Sequence, residues 1–171
     1  ANNQAMNLET LEAAEKYMGK GVVALDLAGA EALFPTENFE ELFRKAGKKG
    51  IPFTIHAGEA AGPESIWKAL EFGASRIGHG VRCLEDKVLV QRLAQDQIPL
   101  ELCPTSNMNT KVFDNITRYP IMRFLDEGIK VTINTDNMTV SNTTLQKEFQ
   151  LVSDTFRLNK TEIERLMKNA A

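Results

Sequence analysis

Pro52-Phe53-Thr54-Ile55-His56-Ala57-Gly58-Glu59 is a short, partly β-branched apolar run that stops on a polar, glycine-containing turn. Such a run reads as a strand rather than a helix. The pattern recurs on both sides of it. Upstream lies Val22-Val23-Ala24-Leu25-Asp26-Leu27, running into Ala28-Gly29. Downstream come Arg76-Ile77-Gly78-His79, then Ile98-Pro99-Leu100-Glu101-Leu102-Cys103, then Ile129-Lys130-Val131-Thr132-Ile133-Asn134. Between these runs the apolar residues change to helical spacing. Phe39, Leu42, Phe43 and Ala46 form one stripe; Ile66, Leu70 and Phe72 a second; Val88, Leu89, Leu93 and Ala94 a third; Ile121, Phe124 and Leu125 a fourth. Stripes of this kind suit helices laid on a sheet. Trp67, beside Ile66 and Leu70, is expected to pack there too. Leu145 to Leu158 and Ile163 to Met167 add two helices after the last strand.

Strands alternating with helices predict an α/β fold with parallel strands and right-handed crossovers. Each strand runs into a polar or glycine-rich turn: Asp26-Leu27-Ala28-Gly29, His56-Ala57-Gly58-Glu59, Gly78-His79-Gly80, Cys103-Pro104-Thr105-Ser106-Asn107 and Thr135-Asp136-Asn137. Functional groups at the carboxyl ends of many successive strands suit the mouth of a barrel. An open sheet gathers its site at one switch point instead. The expected fold is therefore a partial (β/α)8 TIM barrel of about five parallel strands, a single incomplete domain over residues 1–171. A complete barrel takes eight strands and roughly 250 residues, so the N-terminal strands are expected to be missing. The chain opens on Ala1 and stops at Ala171 with a helical pattern still running, which reads as cuts through a longer polypeptide.

Composition narrows the function. The 171 residues are 43% hydrophobic and 25% charged, which is ordinary globular usage and excludes disorder as the main state. A net charge of −3 argues against a nucleic-acid binder that works by neutralising phosphates. No apolar run reaches the roughly 20 residues needed to span a bilayer, and no signal peptide is visible. The two cysteines, Cys83 and Cys103, form no C-x-x-C pair and are expected to pack as small apolar groups, in keeping with a reducing cytoplasm.

The chemistry-bearing residues sit at the strand ends. There are two histidines, His56 and His79, and each closes a strand among small residues. A lone histidine there is as readily a packed, hydrogen-bonded core group; two in matching positions argue for a site. Glu59 follows His56 by three positions, where it can move protons or merely favour a helix N-terminus. Asp136 closes the last strand, though strand-end aspartates are common in loops. Imidazole and carboxylate donors drawn from separate strands suit zinc with an open position for water. Such a metal brings the pKa of its water toward about 7. Metal-assisted hydrolysis is the reaction class expected.

The strings Val23-Ala24-Leu25-Asp26-Leu27-Ala28-Gly29, His56-Ala57-Gly58-Glu59, Gly78-His79-Gly80, Cys103-Pro104-Thr105-Ser106-Asn107 and Asn134-Thr135-Asp136-Asn137 together resemble, in order and approximate spacing, the adenosine deaminase family. The likeness runs through almost the whole chain. It implies zinc-dependent hydrolysis of adenosine, and of 2′-deoxyadenosine, to inosine and ammonia in purine salvage. By the resemblance, His56 is a zinc ligand and Asp136 a zinc ligand that also holds the attacking water. His79 orients or deprotonates that water. Glu59 protonates the purine at N1, a role that requires the carboxyl to carry a proton. Gly29 offers its backbone N–H to N3.

Two departures from the family pattern stand out. The family has two consecutive aspartates where this chain has Asp136-Asn137. The second contacts purine N7, an acceptor, and an amide donates to it at any pH, so Asn137 keeps the contact. The family's first strand also carries a His-x-His pair that supplies two zinc ligands, and this sequence has none. A catalytic zinc site has at least three protein ligands, so the isolated chain is expected to bind zinc poorly and to be nearly inactive. The other zinc deaminase signature, H-x-E with P-C-x-x-C, is absent. A phosphate-binding barrel enzyme is the enzymatic alternative, with Gly78-His79-Gly80 offering backbone N–H groups and Arg82 nearby. The non-catalytic alternative is a fragment that associates with itself or with its missing N-terminal part through open sheet edges.

Overall fold

The computed structural model describes residues 3–170. All five expected strands form, each shorter than or close to its apolar run: β1 Leu25–Leu27, β2 Phe53–Ala57, β3 Arg76–His79, β4 Leu100–Leu102 and β5 Val131–Ile133. The helices are α1 Gln4–Tyr17, α2 Glu40–Lys48, α3 Pro63–Phe72, α4 Lys87–Asp96, α5 Pro104–Asn109, α6 Ile121–Asp126, α7 Met138–Ser141, α8 Leu145–Phe156 and α9 Lys160–Asn169. Short 3-10 turns precede α2, α4 and α6. The strand pairings β1–β2, β2–β3 and β4–β5 are all parallel. This is the α/β alternation of a partial (β/α)8 barrel. The chain packs as two compact units, one up to Leu89 and one from Val90 onward.

In the first unit β2 lies between β1 and β3. In β2 every residue but His56 is buried, as expected of a parallel strand covered on both faces. Its apolar side chains meet the helices through Phe43, Ile55, Ile66 and Ile77, all essentially inaccessible. The Phe43 ring lies 4.6 Å from that of Phe53 and 6.1 Å from that of Phe72. Burying side chains of this size contributes roughly 1.5–3 kcal/mol each. Pro63 at the first turn and left-handed Gly73 at the end delimit α3. Trp67 on α3 is only partly buried, and its indole N–H donates to Asp86 Oδ2 at 2.8 Å. That bond, with backbone N–H donation from Leu89, holds the Asp86 carboxyl below its ordinary range.

In the second unit β4 and β5 carry Leu100, Leu102, Val131 and Ile133, against which Phe124, Ile129, Val152 and Leu166 are buried. Asn169 at the end of α9 donates its side-chain amide to Val131 O at 2.8 Å, tying the last helix to β5. Asn159 and Glu162 form a reciprocal capping box at the start of α9. One element differs from expectation. The stretch Pro104-Thr105-Ser106-Asn107 opens a helix of its own, α5, with proline at its first turn, where the sequence suggested a simple turn. A proline after a strand breaks the ladder and equally pre-sets the φ of a helix start.

Candidate active site

β2 and β3 run side by side with His56 opposite Gly78 and Ala57 opposite His79. The pairing sets the two imidazoles one rung apart on neighbouring strands. Their ring centres are 4.9 Å apart and tilted edge to face. Gly78 permits this approach, because a Cβ there would lie 2.9 Å from His56 Nδ1 and 3.2 Å from its Cα. The glycine that looked like a ligand contact in the sequence thus makes room for an imidazole.

His56 Nδ1 lies 3.1 Å from Asp26 Oδ1. A carboxylate only accepts, so His56 Nδ1 is the donor in this bond. Carboxylate support of one ring nitrogen is the arrangement that orients metal-binding imidazoles. His79 is 1% exposed and Glu59 is largely covered, with Glu59 Oε1 3.7 Å from His79 Nδ1. His79 holds a left-handed backbone conformation at φ 60°, followed by Gly80 at φ 67°. The chain therefore turns sharply as it leaves β3.

Gly29, at φ 147°, lines a cavity at the end of β1 together with Leu27, Ala28, Glu31 and His56. The first unit thus brings His56, His79 and Glu59 into one cluster and places Gly29 on a cavity that His56 shares.

Asp136 and Asn137 belong to the second unit, just after β5. Asp136 is also left-handed, at φ 53°, and its Oδ2 accepts a 2.6 Å hydrogen bond from Ser106 Oγ on α5. Asn137 caps α7, its Oδ1 accepting from Val140 N at 3.0 Å. The oxygen is thereby engaged and the amide –NH₂ is the donor end. On α5 itself, Asn107 is fully buried and its Oδ1 accepts from Tyr119 Oη at 3.0 Å. Glu148 of α8, also fully buried, accepts from Thr105 N at 3.0 Å and from Thr143 Oγ1 at 2.5 Å.

Asp26, Glu31, Ser106 and Glu148 were not singled out from the sequence. Asp26 had the one available signal, since it falls at a strand end among other polar strand ends. Gly58 for Glu31, Asp136 for Ser106 and Thr105 for Glu148 lie about thirty or more residues away, beyond any local motif.

The donors test a zinc site in part. His56, held by Asp26, has the form of a ligand. Among the described residues, however, no group of three or more His, Cys, Asp or Glu could hold a metal ion. The ligand set is not complete within the described residues.

Five short parallel strands alternating with helices define the class, a partial (β/α)8 barrel. The profile of the family described as Adenosine deaminase matches residues 1–171, and the chain belongs to that family. It is 49% identical to the adenosine deaminase of Haemophilus ducreyi over 173 residues, covering 99% of this chain and 50% of that protein. Among solved structures, the adenine deaminase of Arthrobacter aurescens superposes with a TM-score of 0.86 at 29% identity, over 95% of this chain and 51% of that one. The Arabidopsis N6-mAMP deaminase gives 0.86 at 28% identity, over 97% and 49%. The chain spans about half the length of the curated relatives it matches.

Proposed function

We propose that the whole protein to which this chain contributes hydrolyses adenosine to inosine and ammonia, accepts 2′-deoxyadenosine, and serves purine salvage in the cytoplasm. The observation that carries this reading is the cluster at the ends of β2 and β3, where Glu59 and His79 meet beside His56. Family membership supports deamination of a purine. The similar curated relatives, at 40–49% identity, bear the name adenosine deaminase, which favours the nucleoside over adenine or a nucleotide.

Each residue of the chain has a task in this reading. Glu59 delivers a proton to purine N1, making C6 more electrophilic as water adds. His79, buried 3.7 Å from Glu59, takes the proton from the attacking water and steadies the charge that develops on its oxygen. Gly29 donates its backbone N–H to N3, and the Asn137 amide donates to N7. The proton held by His79 then passes to the amino group, the C6–N bond breaks to release ammonia, and the C6 hydroxyl gives its proton back to Glu59 as the C6 carbonyl forms. His56 and Asp136 would each give one ligand to a zinc ion, which supplies a hydroxide at neutral pH when bound. The remaining ligands are proposed to lie in the rest of the polypeptide, because the two histidines of these 171 residues are His56 and His79. By itself the chain is proposed to be nearly inactive.

The test is ammonia release by the full-length protein from adenosine, 2′-deoxyadenosine, adenine and AMP in parallel. Adenosine and its 2′-deoxy form are expected to be the good substrates. Glu59→Gln should lower kcat on the order of 10²–10⁴-fold, as for a lost general acid. Unchanged turnover would remove Glu59 from the mechanism, and preference for AMP or adenine would overturn the substrate.

A further inference from the structure

We propose that Glu31 is a positioning residue: its carboxylate gathers the backbone N–H groups of residues 58–61 and thereby fixes where Glu59 stands against His79. The proposal rests on the reading of Glu59 as the acid and goes beyond it to the group that holds Glu59 in place.

Glu31 is 7% exposed, in the loop that follows β1. Its Oε1 accepts from Gly58 N at 2.7 Å and from Ser65 Oγ at 2.5 Å. Its Oε2 accepts from Glu59 N at 3.1 Å, Ala60 N at 2.7 Å and Ala61 N at 3.0 Å. Five donors therefore converge on one side chain, and four are consecutive main-chain groups of the turn that carries Glu59. The Ser65 hydrogen points at Glu31, so the 3.0 Å contact between Ser65 Oγ and Thr36 Oγ1 is a donation from Thr36.

The carbonyl side of the turn is tied separately. Ala57 O accepts from Gly80 N and Gly58 O from Arg82 N, both at 3.0 Å, and Ala60 O accepts from Arg82 Nη1 at 2.9 Å. The turn is thus clamped from two directions. On one face it meets the strand end that presents His79; on the other it meets Glu31. Gly58, at φ 69°, holds a left-handed conformation that a side chain would strain, and a Cβ there would collide with the Ile66 side chain.

Glu31 cannot be exchanged for its amide without loss. A carboxylate offers two accepting oxygens, one for each group of donors. Glutamine offers one oxygen and one –NH₂, so either the Gly58–Ser65 pair or the 59–61 trio must face another donor. Burial makes such a mismatch costly, and the turn must shift to relieve it. A displacement of about 1 Å in a catalytic group can lower turnover on the order of 10²-fold. Glu31 touches neither substrate nor reacting atoms in this scheme; it acts through Glu59.

A double-mutant cycle in the full-length protein tests this, with kcat for adenosine as readout and thermal unfolding as a folding check. Glu31→Gln is expected to lower kcat on the order of 10²-fold. In a Glu59→Gln background the same change should lower kcat less than about threefold, because the group it places has already lost its proton. A general structural role would cost the same factor in both backgrounds, and that result overturns the proposal, as does an unchanged kcat in Glu31→Gln. Should Glu31→Gln not fold, Ser65→Ala takes its place with the same criterion and an expected loss of about tenfold. Full activity in Glu59→Gln, or a wild-type protein that releases no ammonia, sinks the reading of Glu59 and this proposal with it. A disabled Glu59→Gln with additive losses sinks this proposal alone.

Discussion

A hydrogen atom stands where residue 78 would carry a side chain, and the His56 ring occupies the space. Adding a methyl group brings three atoms of His56 within 3.2 Å, two of them in the ring and one in the backbone. The imidazole would have to tilt away from Asp26. Gly78→Ala in the full-length protein is therefore expected to weaken zinc retention by about 10–100-fold, the usual cost of disturbing a ligand's supporting hydrogen bond. Zinc titration against a competing chelator measures it, and unchanged affinity would dissociate Gly78 from the proposed ligand His56. At this scale the sequence places some residues at strand ends without giving the reason for each. His56 and His79 were legible because each lies at or next to a strand end in a glycine setting, and Glu59 because it follows His56 across Ala57-Gly58. The reason for Gly78 was not, because it depends on which residue of β2 lies opposite, and register is a property of two strands together.

Strands were the most legible elements, since their β-branched runs and terminal glycines are local signals. Strands β1, β4 and β5 are shorter than their apolar runs, because a residue can be buried beside a sheet without joining its ladder. Helix α5 was not legible: a proline followed by Thr, Ser and Asn carries no apolar period in only six residues. Its position comes from Glu148, which reaches from α8 to accept the Thr105 N–H at its first turn. A negative group at a helix N-terminus is favourable through the aligned peptide dipoles as well. Glu148→Gln keeps one oxygen for two donors, so either Thr105 N–H or the Thr143 hydroxyl loses its acceptor in a fully buried place. The expected loss of stability is about 1–3 kcal/mol, read by denaturant unfolding of the full-length protein. A smaller loss would mean that water or a shift of α5 satisfies the orphaned donor. Because Ser106 on the same short helix donates to Asp136, activity should fall with it.

For the molecule as a whole, the proposed catalytic groups are divided between the two compact units, with His56, Glu59 and His79 in one and Asp136 in the other. The overall alternation of strand and helix was legible from periodicity alone; the family followed from five ordered strings, none of which is distinctive singly. The ligand count follows from the histidine content. Metal analysis of the full-length protein is expected to give one zinc per chain. The 171 residues expressed alone should retain far less and release no ammonia with excess zinc. Stoichiometric zinc in the isolated chain would show that four ligands can be found without a His-x-His pair.

His79 and Asp136 share the left-handed backbone conformation, at φ 60° and 53°. Most L-amino acids enter it only at a cost of about 1–2 kcal/mol, whereas glycine does so freely and His, Asp and Asn are enriched there. The palette open to natural drift at these two positions is thus narrowed by main-chain torsion before chemistry has any say. A lineage exploring new reactions on this scaffold would find Val or Ile barred at both places, and would vary its pocket walls sooner than its reactive groups.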